Sequence, residues 1–399
     1  MIQITHFIHK DAHGGGPKVV RQLLEFFNPS EYRQSVITSG NGTLTDWCQA
    51  HQIPIFHVPS HSPLSSLLHL RKISNAFKIT HPQVAILHGQ WAGPIGALAT
   101  RLAKIPRSIY IAHLPAFYHS TSLPRAIRNA VAEMIPCKLA SRVVALSQSN
   151  HYNYLYRGWA HEKKLCLIPN GLDPDELPDP NNVTRLKSTW NFAPPPARHA
   201  VFVGRVDDQK RLDWLISAWN FALTQKPPTA DWHLWIVGSG SELPKIKSLA
   251  AQSPLPHSIH FTGPQTNGLD WIAAADLVVM SSLYEGHALV PLEAMACSKP
   301  IAAFACDGVS ESVADGITGL LSPLGKTHHL GRSIATLLNN PTLSSQMGTN
   351  AHSHLHRNFH IQKTIHAYEQ LLDNLTLPHH PSQPPQPPPC PAHQPFQAK

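Results

Sequence analysis

The residues best suited to chemistry lie in one stretch, L-Y-E-G-H-A-L-V-P-L-E-A-M-A-C-S-K-P, over residues 283–300. The preceding D-L-V-V-M-S, residues 276–281, is typical of a buried strand, and the pattern then predicts a loop and a helix that begins at Pro291. A loop that ends at a helix start offers backbone N–H groups to an anion. Glu285 in the loop and Glu293 in the first helical turn would flank that anion and bind hydroxyl groups. Both glutamates also have an explanation without a ligand: a glutamate in a loop is usually solvated, and the helix dipole favours a glutamate in a first helical turn.

A second group of candidates follows a strand in the second half of the chain. The segment V-F-V-G-R-V-D-D-Q-K-R-L ends a predicted strand at Gly204 and places Arg205 and Lys210 in the turn before a helix. Cations at the carboxyl end of a parallel strand suit a phosphate. The next strand ends in Gly238 and Gly240, where a base or a ribose could pack against backbone. Together these turns indicate a site for a nucleotide diphosphate.

Three consecutive glycines follow the first predicted strand of the chain. Gly14, Gly15 and Gly16 lead into a helix, and such a turn lets a ligand approach the backbone at a helix start. A turn without any ligand fits the local sequence equally well.

The basic residues are concentrated in the first half. Residues 1–172 contain 17 Lys and Arg against 6 Asp and Glu, whereas residues 173–399 contain 15 against 18. The asymmetry indicates an anionic partner for the first half: membrane headgroups, a lipid diphosphate or nucleic acid. A merely solubilising surface is the alternative.

The elements that must position these residues alternate along the chain. At 399 residues the chain is long enough for two domains. Short apolar runs alternate with amphipathic stretches, which predicts mostly parallel sheets covered by helices on both faces. The predicted strands are Ile2–Ile8, Gln34–Thr38, Ile53–Val58, Val84–Leu87, Ser108–Ala112, Val143–Leu146, Leu165–Ile168, His199–Val203, His233–Val237, Ser258–Phe261, Leu277–Met280 and Ile301–Phe304.

Composition also indicates a boundary and a compartment. The segment Asp173–Pro196 is rich in proline and acidic residues, which places a linker near Asn170–Leu177. No run of about 20 apolar residues occurs, and Met1–His6 is typical of a strand rather than a signal peptide. The six cysteines form no CxxC pair, which suits reduced thiols. We therefore expect a cytoplasmic protein without a membrane span.

The second half resembles the retaining glycosyltransferases of family four, whose GT-B fold consists of two Rossmann-like domains facing across a cleft. The matching motifs are F-V-G-R-V-D-D-Q-K-R-L-D, I-V-G-S-G, F-T-G, the segment from A-A-A-D-L-V-V-M-S to C-S-K-P-I, and G-I-T-G-L-L. The first half is similar through G-G-G-P-K-V-V, L-H-G, I-A-H-L-P, V-V-A-L-S and L-I-P-N-G-L-D, so the resemblance spans most of residues 1–375.

The resemblance implies a role for each candidate residue. Arg205 and Lys210 would hold the donor diphosphate, Glu293 the ribose hydroxyls, and Glu285 the transferred sugar. His113, in I-A-H-L-P, would face the reacting centre. The catalytic residues would thus be His113, Glu285, Arg205 and Lys210. Other donor-binding positions would be Gly15, Gly16, Gly238, Gly286, His287, Ala288, Leu289 and Glu293.

The resemblance also implies a reaction. A hexose would pass from a nucleotide-diphosphate sugar, UDP-hexose or GDP-mannose, to a saccharide or lipid-linked acceptor with retention of configuration, in bacterial surface polysaccharide or lipopolysaccharide synthesis. No D-x-D motif stands in the expected place, so neither a metal nor a cofactor other than the donor is expected. The resemblance implies no nucleic-acid partner.

The implied domain organisation has four parts. An acceptor-binding domain would occupy residues 1–172, a donor-binding domain 173–360, and a helix at 361–377 would return to the first domain. The Pro/His-rich tail at 378–399 is predicted to be disordered.

One departure bears on the donor and leaves rival functions open. Where the family commonly has E-G-F-G, this chain has Glu285-Gly286-His287-Ala288, and the missing glycine restricts φ in the loop. The alternatives are a non-catalytic sugar-nucleotide-binding protein and another GT-B enzyme, such as a nucleotide-sugar epimerase or a phosphorylase.

Two further surfaces stand out. Leu67–Lys78 and Ser122–Lys138 mix apolar residues with cations, as a helix on an anionic membrane does, so peripheral contact with the inner face of the plasma membrane is expected. His352 and His356 have the i,i+4 spacing of zinc ligands, but without a third ligand nearby we expect no metal site.

Overall fold

The computed structural model describes residues 1–9, 14–58, 69–114, 123–190, 197–225 and 231–376, so the predicted tail lies outside it. Strands and helices alternate throughout the described first half. They are β1 (Ile2–Ile8), α1 (Gly15–Phe26), β2 (Tyr32–Thr38), α2 (Thr43–Ala50), β3 (Ile55–His57), α3 (Leu70–Thr80), β4 (Val84–His88), α4 (Gly89–Leu102), β5 (Arg107–Ala112), α5 (Leu123–Leu139), β6 (Arg142–Ala145), α6 (Gln148–Tyr156) and β7 (Leu165–Leu167).

The same alternation continues in the second half, which ends in three helices and a π-helical turn. The elements are α7 (Pro180–Trp190), β8 (Ala197–Val203), α8 (Leu212–Thr224), β9 (Asp231–Val237), α9 (Leu243–Ala251), β10 (Ile259–Gly263), α10 (Gly268–Ala274), β11 (Leu277–Met280), α11 (Leu289–Ala296), β12 (Ile301–Phe304), α12 (Val309–Ser312), β13 (Gly319–Ser322), α13 (Thr327–Asn339), α14 (Pro341–His354), the turn Leu355–Phe359 and α15 (Ile361–Thr376).

The described strands form two parallel sheets, which confirms the predicted GT-B fold. The first has seven strands in the order β3-β2-β1-β4-β5-β6-β7, and the second has six in the order β10-β9-β8-β11-β12-β13. Apolar side chains from the strands are buried under helices, and this explains the continuous apolar runs. Each strand order reverses once, between β1 and β4 and between β8 and β11. Ligands of such sheets bind beyond the carboxyl ends of the strands at these switch points.

The structure differs from the sequence expectations in some details. Strand β13 was not predicted, since G-L-L-S is short and begins with glycine. Helix α11 begins at Leu289 rather than at Pro291, because Ala288 already has the extended backbone of an N-cap and proline is tolerated within a first turn. Glu293 therefore lies in the second helical turn and not in the first.

The chain passes between the two halves twice, and the two passages are hydrogen-bonded. The Leu172 N–H donates to the carbonyl of Phe359 at 2.9 Å, and the Ile361 N–H donates to the carbonyl of Leu172 at 3.0 Å. Helix α15 then packs against α1, so its apolar residues share one core cluster with those of β1 and α1. Within the described ranges no helix has the length and apolarity needed to cross a bilayer.

Candidate active site

The switch point of the second sheet brings two loops together. Residues 204–211 follow β8 and residues 281–288 follow the neighbouring strand β11. The Ser281 hydroxyl donates to the carbonyl of Lys210 at 2.7 Å, and the Leu283 N–H donates to the carbonyl of Gln209 at 2.8 Å. These bonds bring the R-x4-K segment against the segment that contains Glu285.

The centre of this region is a buried ion pair. Lys210 Nζ donates to Glu285 Oε1, and the two side chains are only 13% and 8% exposed. Gln209 Nε2 donates to the other carboxylate oxygen at 3.2 Å and to the carbonyl of Tyr284 at 3.0 Å. A buried carboxylate needs such partners, because an unpaired charge is costly away from water.

Arg205 extends from the same network toward solvent. Its guanidinium donates to Asp207 Oδ2 at 2.6 Å and to Gln209 Oε1 at 2.9 Å, while the side chain is 58% exposed. The Asp207 carboxylate also accepts from the Lys210 N–H at 3.3 Å. Arg205 is therefore oriented by its neighbours and still accessible to an anion.

Gly238 and Gly240 act in backbone packing of the adjacent turns. A Cβ on Gly238, whose φ is +142°, would lie 1.8 Å from the Gly204 carbonyl oxygen, and one on Gly240 would lie 2.2 Å from the Val206 oxygen. Both distances exclude a side chain. The structure thus gives these glycines a packing role, whether or not a nucleotide also lies there.

Gly286 lies where the backbones of the two domains approach closely. A Cβ at this position would lie 1.8 Å from the carbonyl oxygen of His113, which follows β5 of the first domain. Asn150 Nδ2, at the start of α6, donates to the Gly286 carbonyl at 3.3 Å. The loop that contains Glu285 is therefore held directly opposite His113.

The His287 side chain is directed away from this contact. It is buried against Phe359, its Nε2 lies 3.2 Å from Ser312 Oγ, and burial lowers its pKa to about 4. Its backbone carbonyl accepts from Asn170 Nδ2 at 2.7 Å. Asn170, at the start of the predicted linker, thus binds the same loop across the domain boundary.

Glu293 already has a partner from the first domain. Lys18 Nζ of α1 donates to Glu293 Oε1 at 3.0 Å and to Glu176 Oε2 at 3.1 Å. Burial opposes the charge of Lys18, but the two carboxylates outweigh this effect and raise its pKa. Nearby, Gly15 approaches Leu289 at the start of α11, whereas Gly16 faces Ile8. Gly15 thus lies beside the loop that contains Glu285, and Gly16 packs on the first sheet.

His113 lies just beyond the carboxyl end of β5 and is held from within the first domain. Its Nε2 is 3.2 Å from His88 Nδ1, and its ring lies over Gly89, which has φ +78°. Burial lowers the pKa of His113 to about 4, so the imidazole is neutral at pH 7.

Several participants were not found from the sequence. Gln209 connects Arg205 to Glu285, and Lys18 pairs with Glu293. Glu311 accepts from the N–H groups of Gln148 at 2.6 Å and Ser149 at 3.0 Å, which joins the domains at the start of α6. The position of Gln209 beside Lys210 and four residues after Arg205 was the one available signal.

Within the described residues, no group of three His, Cys, Asp or Glu side chains is arranged to hold a metal ion. His352 and His356 lie with ring centroids 4.7 Å apart.

Comparison with known proteins agrees with this architecture. Residues 13–176 match the family described as glycosyltransferase family 4, and residues 197–340 match glycosyl transferases group 1. An uncharacterized glycosyltransferase of Haemophilus influenzae is 29% identical over 216 residues, which cover 54% of this chain and 57% of that protein. D-inositol 3-phosphate glycosyltransferase 2 of Catenulispora acidiphila is 32% identical over 287 residues, or 68% of this chain and 66% of that one.

Solved structures give the same fold. HepE of Anabaena in complex with UDP and glucose superposes with a TM-score of 0.80 at 22% identity, covering 94% of this chain and 100% of HepE. Two glycosyltransferase families match the two domains in succession, and the fold agrees over nearly the whole chain. The chain therefore belongs to the GT-B glycosyltransferases.

Proposed function

We propose that the protein is a retaining, metal-independent hexosyltransferase. It transfers a hexose from a UDP-sugar or from GDP-mannose to a saccharide or lipid-linked acceptor of bacterial surface polysaccharide or lipopolysaccharide. The observation that carries the proposal is the buried Lys210–Glu285 pair at the switch point, opposite His113. Both groups suit a sugar nucleotide, since the Lys210 ammonium can bind a diphosphate oxygen and the Glu285 carboxylate can accept from a sugar hydroxyl.

The proposed chemistry breaks the bond between the anomeric carbon and the donor diphosphate. Positive charge develops on the sugar ring and negative charge on the leaving diphosphate. Lys210, Arg205 and the N–H groups at the start of α11 stabilise the leaving charge, a role that elsewhere a metal ion fills. The acceptor oxygen attacks from the face of the leaving group, and its proton passes to the released phosphate oxygen.

The donor ribose takes the place of Lys18 on Glu293. Lys18 keeps its second carboxylate, Glu176, when this exchange occurs, so its charge is not left unpaired. Glu285 binds hydroxyls of the sugar while Lys210, with three N–H donors, reaches a phosphate oxygen.

The first test is thermal stabilisation across UDP-, GDP- and ADP-sugars with EDTA present, followed by product analysis of the anomeric configuration. A ligand that binds only the folded state raises the melting temperature. One nucleotide class should shift the midpoint, and Glu293→Ala should remove the shift. Stabilisation without turnover for every acceptor would favour a non-catalytic binding protein, and inverted product would exclude retention.

The matched variants are Lys210→Ala and Lys245→Ala. Lys245 pairs with Glu242 on the surface, with its side chain 60% exposed. Loss of a positioned cation should lower kcat by roughly 100- to 1000-fold in Lys210→Ala, and Lys245→Ala should retain the original rate. Full activity of Lys210→Ala would refute the diphosphate assignment.

We further propose that α5 contacts an anionic membrane. Leu123, Ile127, Val131 and Met134 form an exposed apolar stripe on this helix, and Arg125 and Arg128 lie beside it. Apolar insertion combined with basic residues favours anionic lipid surfaces.

Liposome flotation tests this contact by comparing substitutions at two isoleucines that are equally exposed to solvent. Ile127 on α5 and Ile317 in the second domain are both 57% exposed. Ile127→Glu should abolish salt-sensitive flotation with anionic vesicles, and Ile317→Glu should leave it intact. An absence of flotation by the original protein at low salt would contradict the membrane proposal.

A further inference from the structure

Three histidine rings and one amide form a continuous hydrogen-bonded line across the first sheet. Gln34 Oε1 is 3.1 Å from His6 Nε2, His6 Nδ1 is 3.1 Å from His88 Nε2, and His88 Nδ1 is 3.2 Å from His113 Nε2. These residues belong to β2, β1, β4 and the end of β5, which are successive neighbours in the sheet. We call Gln34, His6, His88 and His113 the histidine relay.

Each ring of the relay carries one proton. His6 and His88 are almost fully buried, and burial lowers the pKa of His6 to about 4 and that of His88 well below its usual range. A neutral imidazole donates through one nitrogen and accepts through the other. Because each ring bonds the next, all three must have their protons on the same type of nitrogen, either Nε2 or Nδ1.

The amide of Gln34 selects between these two directions. Its Nε2 donates to the carbonyl of Leu24 at 3.0 Å, so its Oε1 faces His6. A reversed amide would point its oxygen at the Leu24 carbonyl and lose that bond. His6 must then donate through Nε2, and so must His88 and His113 in turn. The Nδ1 atom of His113 is left unprotonated.

We propose that Gln34, His6 and His88 are positioning residues that fix His113 as its Nε2–H tautomer, so that Nδ1 accepts a hydrogen bond from a hydroxyl of the transferred sugar. The sugar part rests on the proposed function, whereas the tautomer rests on the relay alone. The relay thus determines that His113 binds an O–H group as an acceptor and does not donate to it.

Nitrogen-15 NMR of the full chain, labelled at histidine, tests the tautomer directly. The His113 signals are assigned by their loss in His113→Asn. The Nδ1 resonance should lie in the range of an unprotonated imidazole nitrogen, and Nε2 should be coupled to a proton. A protonated Nδ1 on His113 at pH 7 would overturn the proposal, with or without activity.

Three glutamine variants test the direction. Gln34→Met removes the terminal acceptor at similar volume, Gln34→Glu keeps an acceptor oxygen, and Gln83→Met removes an unrelated amide that accepts from the Gln3 N–H. In Gln34→Met the His113 tautomers should mix and kcat should fall severalfold, up to about tenfold, the effect of one lost hydrogen bond. Gln34→Glu should restore the Nε2–H tautomer and much of the rate, and Gln83→Met should change neither.

The outcomes distinguish the proposal on the histidine relay from the proposal that the protein is a transferase. An unchanged tautomer and an unchanged kcat in Gln34→Met would overturn the role of Gln34. The expected tautomer in a protein that turns over no nucleotide sugar would uphold the relay and contradict the transferase proposal.

Discussion

Each domain contains a trio of histidines on neighbouring strands, and the two trios differ in connection and in place. In the first domain, His6, His88 and His113 are hydrogen-bonded in series and end at the cleft. In the second, His233 Nδ1 is 3.0 Å from His260 Nε2, and His199 stacks on His233 with ring centroids 5.4 Å apart.

The surroundings explain the difference. His199, His233 and His260 lie near the amino ends of β8, β9 and β10, at the sheet edge away from the cleft. His199 Nδ1 accepts from Trp235 Nε1 at 3.1 Å, and Trp190 stacks on Trp235. Histidines that are enclosed by tryptophans thus pack the interior of the second domain. Histidines that are hydrogen-bonded in series toward the cleft fix the position of a proton in the first domain.

Among the experiments on the two trios, the largest expected effect is at their ends. His113→Ala should lower kcat by roughly 10- to 100-fold, because a sugar hydroxyl loses its acceptor in a water-poor site. His260→Ala, at the end of the other trio, should keep kcat unchanged. Steady-state kinetics on both variants measures the contrast, and equal losses of activity would remove it.

The second effect is on stability and lies in the other domain. His233→Leu removes the hydrogen bond to His260 from a buried site and should lower the free energy of unfolding by about 1–3 kcal/mol. The kcat of the folded protein should not change. Urea unfolding followed by an assay in buffer measures both quantities, and a loss of kcat at full stability would show that this trio also serves catalysis.

A third experiment displaces His113 from outside the relay. Gly286→Ala would place a Cβ against the His113 carbonyl, so backbone must move and kcat should fall about tenfold or more. Gly158→Ala is the control, since Gly158 has φ +64° but open space around it and should affect stability alone. Unchanged kinetics in Gly286→Ala would mean that the domain contact is dispensable.

A fourth effect should be common to both trios. Burial lowers the pKa of His6, His113, His199 and His260 to about 4 from an ordinary 6.5. Between these values the unfolded chain binds more protons than the folded one, so stability falls as pH decreases from 6.5 toward 4. Replacing His6 or His199 by Asn should flatten this dependence in thermal unfolding across that range. A steeper dependence of stability on pH in either variant would contradict the lowered pKa values.

Much of the fold could be predicted from the sequence because its signals are local. Apolar runs such as Val84–Leu87 and Leu277–Met280 are buried strands, as predicted, since both faces of a parallel sheet are covered. Ile53–Val58 was too long by several residues, and the edge strand Gly319–Ser322 was missed, because edge strands carry weaker apolar patterns.

The site could be predicted only where its residues lie close together in the sequence. The local sequence pointed to Lys210, five residues after Arg205, and to Glu285, eight residues before Glu293, yet the bond between Lys210 and Glu285 joins residues 75 positions apart. The partner of Glu293 is 275 positions away, and the relay joins three histidines that no local period connects. Contacts between distant elements depend on sheet order, which the pattern of apolar residues does not encode.

The return of α15 to the first domain has a consequence for biosynthesis. Ile365, Tyr368 and Leu372 of this 16-residue helix complete a core that begins with Ile4 and Leu23. A ribosome that has finished the first sheet has therefore released a domain with an uncovered apolar face, which stays uncovered until the whole second domain has been translated. Such faces attract chaperones and other nascent chains. The earlier of the two domains to be synthesised is therefore completed only after the later one.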